Sequence, residues 1–217
     1  MNRKYDVIVI GAGNGGLSAA ATTSRGGLKT LVLERHNLPG GSATSFVRGR
    51  FEFESALHEL CDLGTEERPG SVRKLFDEYG AEMKWHIEKN LFHLIVPGKT
   101  DLVLPTGKKA FSDKMDELVP GCRESVEELL RLGELAGEAQ KYAMSPEKKN
   151  LVMFTKYADF LRLASLTTRQ GFKEIGMPKA AQDILNTYWC YLGAAPDDLD
   201  FLTTVQMIYK YVHLYPG

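Results

Sequence analysis

The stretch "YDVIVIGAGNGGLSAAATTSRGGLKTLVLERHNLPGGS", residues 5–42, decides the fold class of this chain. Its β-branched run Val7–Ile10 is typical of a buried parallel strand, and a second strand of this kind is predicted for Thr30–Glu34. Between them, the alanine-rich run Leu17–Arg25 predicts a helix that ends at a glycine pair. Strand, helix and strand in one short stretch make a βαβ unit, so we expect an α/β protein.

The turn between the first strand and the helix has the spacing GxGxxG, at Gly11, Gly13 and Gly16. The first glycine permits a tight turn, the second lets the backbone approach a pyrophosphate, and the third lets the helix pack against the strands. The helix N-terminus then offers free N–H groups and the positive end of its dipole to phosphates. This context predicts a Rossmann-like dinucleotide site.

Glu34 ends the second strand, where the acid that binds ribose hydroxyls is expected. A carboxylate accepts hydrogen bonds from a free 2′-OH and repels a 2′-phosphate, which argues against NADP and leaves NAD or FAD. The alternative is a glycine-rich turn followed by an ordinary surface glutamate. Strand, turn, helix and acid in register favour the dinucleotide site.

The choice between NAD and FAD depends on the residues after Glu34. An NAD dehydrogenase would normally continue into another helix and strand, whereas this chain continues "RHNLPGGSATSF". Its second glycine pair, Gly40 and Gly41, lets the backbone pass close to a ligand, such as the other side of the pyrophosphate. A plain Pro-Gly-Gly turn is the alternative.

The segments "DVIVIGAGNGGLSAA", "LVLERHNLPGGSATSF" and "GRFEFESALHEL" resemble the start of FAD-dependent desaturases related to phytoene desaturase. The carotenoid isomerase and retinol saturase branch is the most similar. The resemblance implies that the βαβ unit binds the ADP half of FAD and that the Gly-Gly loop runs along its pyrophosphate. It implies the following FAD contacts: Gly11, Gly13, Gly16, Glu34, Arg35, Gly41 and Ser42.

The same resemblance implies that "GRFEFESALHEL" passes near the flavin, which makes His58 a weak candidate for a catalytic side chain. His58 would orient a substrate or supply a proton; the alternative is a hydrogen-bonded structural histidine. Relatives usually have glycine where this chain has Ala56, so a Cβ stands where backbone would approach the flavin.

Beyond residue 42 the pattern becomes β-rich and then helical. A hairpin is predicted over Ser45–Glu54, a short helix over Ser71–Tyr79, and two strands over Leu91–Pro105. From about Phe111 the pattern is helical, with helices expected within residues 125–143, 178–193 and 196–214. We therefore predict an FAD-binding region with inserted hairpins over residues 1–105 and a helical part of a substrate domain over residues 106–217.

Composition excludes several classes of function. The chain has 217 residues, 43% hydrophobic and 25% charged, with a formal net charge of −1, so nothing points to nucleic acid or to an anionic membrane. Cys61, Cys122 and Cys190 are far apart and odd in number, which argues against a disulfide framework or a metal site and favours a reducing compartment. No stretch is typical of a signal peptide or a bilayer span, so we expect a cytoplasmic protein, with peripheral membrane contact left open.

The resemblance implies an FAD-dependent oxidoreductase that desaturates, saturates or isomerises an apolar, polyene-like substrate. Family members are longer, so the resemblance implies an N-terminal half with an incomplete fold, and the missing C-terminal half or a self-association partner would complete it. One alternative is an inactive or partner-dependent FAD- or ADP-binding fragment, and another is an NAD-binding module. Substrate, reaction direction, electron acceptor and oligomeric state stay open.

Overall fold

The computed structural model describes residues 4–56 and 59–213. By internal contacts the chain divides into two compact units, Met1–Lys84 and Trp85–Gly217, which are described separately. The functional division into residues 1–105 and 106–217 stays a prediction.

The first unit begins with the βαβ element predicted from sequence. Strand β1 spans Val7–Ile10, helix α1 spans Asn14–Arg25 and strand β2 spans Thr30–Leu33. The strands are parallel, with Val7 opposite Thr30 and Ile10 opposite Leu33. Helix α1 begins earlier than the predicted Leu17, because the last glycines of the turn already have helical geometry. A Rossmann-like α/β fold is thus confirmed.

The prediction that β1 is buried is wrong for half of the strand. Val7 and Val9 are partly covered, but Ile8 is 58% and Ile10 86% exposed. The reason is the small size of the sheet: within the described residues β1 pairs only with β2, and α1 covers one face. The opposite face therefore presents apolar side chains to solvent.

The rest of the first unit is a hairpin and a short helix. Strands β3, Phe46–Arg48, and β4, Phe51–Phe53, form the predicted antiparallel hairpin around Gly49. Helix α2 spans Ser71–Glu78, close to its predicted range. Its first N–H groups are already used, because the Asp62 carboxylate accepts the Ser71 N–H, so this helix end is not a free anion site.

The second unit opens with a further hairpin and continues as helices. Strand β5, Asn90–Val96, pairs antiparallel with β6, Thr100–Pro105, as predicted. The helices after this hairpin are α3 Lys108–Leu118, α4 Arg123–Ala143, α5 Asn150–Thr155, α6 Ala158–Leu163, α7 Thr168–Glu174, α8 Lys179–Leu185, α9 Trp189–Leu192 and α10 Phe201–Val212. Among the described helices, none is long and apolar enough to cross a bilayer.

Helices α4 and α10 form the centre of this unit. The buried face of α4 includes Val126 and Leu129, and that of α10 includes Val205 and Ile208. The two backbones approach closely at Gly133, where an added Cβ would collide with the Tyr209 side chain and lie 2.5 Å from the Val205 carbonyl oxygen. Glycine is therefore needed at this crossing.

The helix predicted over residues 178–193 is interrupted. After α8, a 3₁₀ turn spans Asn186–Tyr188, and α9 comes next. Asn and Thr are weak helix formers, and the turn brings the Tyr188 ring into a stack with Tyr211, with centroids 5.8 Å apart. Burial of an aromatic ring thus outweighs continuity of the helix.

Candidate dinucleotide-binding site

The turn after β1 requires glycine at two positions for backbone reasons. Gly11 has a φ of 95°, in the region that favours glycine, and its N–H donates to the Leu33 carbonyl at 2.7 Å. An added Cβ at Gly16 would collide with the Gly11 carbonyl oxygen and lie 3.4 Å from Val9 Cγ1. Gly16 therefore lets α1 pack directly against the turn and β1, as its place in the motif predicts.

The N-terminus of α1 is open to an anion. Gly13 is the N-cap and has no side chain to cap the helix, and the first turn contains no acidic residue. Asn14 and Gly15 in that turn are exposed. The first N–H groups of a helix have no acceptor within the helix, and the positive end of its dipole lies there. These donors are thus available to a phosphate group.

The second glycine segment lies against the first. The Gly40 N–H donates to the Ala12 carbonyl at 2.7 Å, and Gly40 pairs with Gly13 in a parallel bridge. Gly41, with a φ of 61°, passes so close that an added Cβ would lie 3.0 Å from Gly13 Cα. By contrast, a Cβ at Gly13 would have no atom nearer than Gly41 Cα, at 3.9 Å. A Cβ at Gly13 would therefore make only an ordinary van der Waals contact with Gly41, and no other atom lies within 4 Å of it.

The Glu34 carboxylate binds the first glycine segment and the chain that follows β2. Oε2 accepts the Ala12 N–H at 2.6 Å, and Oε1 accepts the His36 N–H at 2.8 Å. The hydrogen bond from His36, and then that from Ala12, lower the pKa of Glu34, so it is ionised at neutral pH. A carboxylate has about four lone-pair positions, so acceptor capacity remains for a ligand hydroxyl. The residue thus fixes the turn and still offers acceptors to a ribose.

The remaining predicted residues take less defined positions. Arg35 and Ser42 are exposed, and their side chains make no hydrogen bond or ion pair within the described part of the chain. The Ser42 carbonyl accepts the Ser55 hydroxyl at 3.0 Å. His58 lies outside the described residues. The structure therefore brings Gly11, Gly13, Gly16, Gly41 and Glu34 together, with Arg35 and Ser42 as their exposed chain neighbours.

Sequence reasoning missed two residues that hold the site together. Ala12 is buried, its N–H binds Glu34, and its carbonyl binds the Gly40 N–H. Ser55 donates to the carbonyls of Ser42 and Thr44, which ties the segment after the hairpin to the glycine loop. Ala12 acts through backbone atoms alone, which leave no signal in a single sequence.

Comparison with known proteins agrees with this geometry. Residues 9–79 match the model of the NAD(P)-binding Rossmann-like domain family. The chain is 25% identical to the all-trans-retinol 13,14-reductase of Danio rerio, over 90% of this chain and 34% of that protein. It is 26% identical to the chloroplastic prolycopene isomerase of Daucus carota, over 58% of this chain and 20% of that protein.

A solved structure shows the same fold. Cyclohexylamine oxidase from Brevibacterium oxydans IH-35A superposes with a TM-score of 0.55 at 22% identity, over 95% of this chain and 42% of that one. The chain spans about a third of the length of the retinol reductases that it matches. The matches and the glycine site together lead to one assignment: this chain is a relative of the FAD-dependent phytoene desaturase-like proteins, among them retinol 13,14-reductases and prolycopene isomerases.

Proposed function

We propose that the βαβ unit binds the ADP half of FAD, and that the chain is part of an oxidoreductase acting on a polyene-like substrate. The main supporting observation is that the two glycine segments meet at the N-terminus of α1, beside an ionised Glu34. The first turn of α1 itself contains no acidic residue.

Each residue has a specific part in this proposal. Gly13 leaves room for the pyrophosphate, Gly41 lets the second glycine segment pass close to Gly13, and the first N–H groups of α1 bind the pyrophosphate. Glu34 accepts hydrogen bonds from the adenosine ribose with its remaining lone pairs. Arg35 supplies a nearby positive charge, and Ser42 a hydroxyl donor. Because an ionised Glu34 repels a 2′-phosphate, NADP is disfavoured at this site.

The relatives support FAD and the substrate class. Retinol, named for the zebrafish relative, and prolycopene, named for the carrot relative, are both polyenes. A bound flavin supplies the redox chemistry, and the protein positions it and excludes water. Desaturation, saturation and isomerisation all stay within the proposal, and His58 stays a weak candidate for positioning a substrate or supplying a proton.

A second candidate is a chain that binds FAD or ADP only together with a partner. The exposed apolar face of β1 and β2, with Ile8, Ile10 and Leu33, favours it. Parallel sheets are normally covered on both faces. A second polypeptide or a second copy of this chain would be the partner. An NAD-binding module is a third, weaker candidate.

A cytoplasmic location is also part of the proposal. Cys122 and Cys190 are free thiols, as is usual in a reducing compartment.

Reconstitution with flavin tests the proposed function. The purified chain is incubated with FAD, passed through gel filtration and examined for a flavin spectrum, and then assayed with retinol or a carotene and an electron acceptor. A retained flavin and turnover support the first candidate. Flavin retained only after a second polypeptide is added supports the second. A chain that retains NADP but no FAD contradicts both.

A further inference from the structure

The segment with the second glycine pair is closed on itself by one of its own side chains. The Thr44 hydroxyl donates to the Pro39 carbonyl at 3.0 Å. Between these two residues, Gly40 and Gly41 both have a positive φ, 119° and 61°. Glycine loses more conformational freedom on ordering than any other residue, so a segment with two adjacent glycines needs such contacts to keep one conformation.

Ser55, just beyond β4, binds the same segment from the end of the hairpin. Its hydroxyl oxygen lies 3.0 Å from the Ser42 carbonyl oxygen and 3.0 Å from the Thr44 carbonyl oxygen. A serine hydroxyl has one hydrogen, so the two carbonyls share it in a three-centre hydrogen bond. The chain at Ser55 is itself held in place, because the neighbouring Glu54 carboxylate accepts the Ser45 hydroxyl at 2.8 Å.

The segment that Ser55 binds is the one that meets the turn after β1. An added Cβ at Gly41 would lie 3.0 Å from Gly13 Cα, and the Gly40 N–H donates to the Ala12 carbonyl at 2.7 Å. The position of this segment therefore determines how much space is left beside Gly13. Ser55 acts on that space through the backbone of the second glycine segment.

We propose that Ser55 is a positioning residue for the dinucleotide, whose hydroxyl holds the second glycine segment where it leaves room for the pyrophosphate. This inference rests on the proposed function. A segment that is ordered before the ligand arrives loses less entropy on binding, so removal of the hydroxyl weakens binding although no contact to the ligand is lost. The effect is confined to ligands with the phosphates, because the segment faces Gly13, whereas the ribose is assigned to Glu34.

Titration of the 217-residue chain with ADP and, separately, with adenosine tests this inference. Ser55→Ala removes the hydroxyl, and because Ser55 is exposed the change leaves no cavity. One uncharged hydrogen bond changes an equilibrium about three- to tenfold. We therefore expect the Kd for ADP to rise by about that factor, while the Kd for adenosine is unchanged. Ser55→Thr keeps the hydroxyl and should restore the wild-type Kd for ADP.

Ser125→Ala is the matched control. Ser125 lies in the second unit, and its hydroxyl donates to the Cys122 carbonyl at 2.8 Å. This variant therefore loses a hydrogen bond of the same kind and should bind ADP like the wild type. Thermal unfolding without ligand checks the fold of each variant.

Four results overturn the inference and leave the proposed function standing. They are an unchanged Kd for ADP in Ser55→Ala, an equal loss of ADP and adenosine affinity, a loss that Ser55→Thr does not restore, and a large fall in the Tm of Ser55→Ala. A wild-type chain that binds neither ADP nor FAD contradicts the proposed function, and the inference fails with it.

Discussion

Replacing Gly13 by valine separates ligand binding from folding. Gly13 has a φ of −75° and a ψ of 177°, which valine adopts readily, and a Cβ there meets no atom nearer than 3.9 Å. The free protein should therefore fold as before. The branched side chain would instead fill the open space beside the α1 N-terminus, which we assign to the pyrophosphate.

The expected loss of affinity can be worked from the hydrogen bonds displaced. If the pyrophosphate moves away from two N–H groups, each worth about 1.5–3 kcal/mol to a charged acceptor, the Kd rises roughly 10²- to 10⁴-fold. Fluorescence titration with FAD measures this change, and thermal unfolding without ligand measures the fold. Ser24→Val is the matched control, because Ser24 is exposed in the last turn of α1, far along the helix from the N–H groups assigned to the phosphate.

Two outcomes would refute this reasoning. A Gly13→Val chain with wild-type FAD affinity and wild-type Tm would show that the pyrophosphate does not lie at this turn. A chain with a much lower Tm would show that the space beside Gly13 is needed by the protein itself.

Three further predictions concern the carboxylate, the helix crossing and a histidine. Glu34→Gln keeps one acceptor but removes the charge, so competition titration should show weaker ADP binding and less discrimination against NADP. Gly133→Ala should lower the free energy of unfolding by about 1–3 kcal/mol, whereas Gly137→Ala, in open space on the same helix, should raise it by about 0.5–1 kcal/mol; denaturant titration compares them. Burial, and then the charge of Lys108, lower the pKa of His213. Its contribution to stability is therefore complete above about pH 6.5 and is lost as the pH falls toward the folded pKa. Unfolding measured between about pH 7.5 and 5.5 should show this loss, and His213→Asn should reduce it.

Much of the nucleotide unit could be predicted from sequence because its signals are local. The bounds of β1, the glycine spacing and the place of Glu34 depend on residues close together in the chain. That Glu34 binds the Ala12 N–H could not be predicted, because it depends on where the end of β2 meets the glycine turn in space.

The predictions from sequence that the structure contradicts have a common physical origin. The apolar run Val7–Ile10 predicts burial only if further layers cover it, and the described residues place one helix on one face. The helix predicted over residues 178–193 breaks because Tyr188 packs against Tyr211, a contact distant in sequence. The crossing at Gly133 likewise depends on α10, far along the chain. Local propensity gives way to long-range packing at each of these positions.

The most direct test of the central claim is a competition between FAD, ADP and FMN for the 217-residue chain. FMN lacks the adenosine part, so a site that recognises the ADP half should bind FAD, release it when ADP is added, and bind FMN poorly. NADP should compete less well than ADP, because Glu34 is ionised beside the ribose position. Binding of FMN as tight as that of FAD, or no displacement of FAD by ADP, would contradict the account.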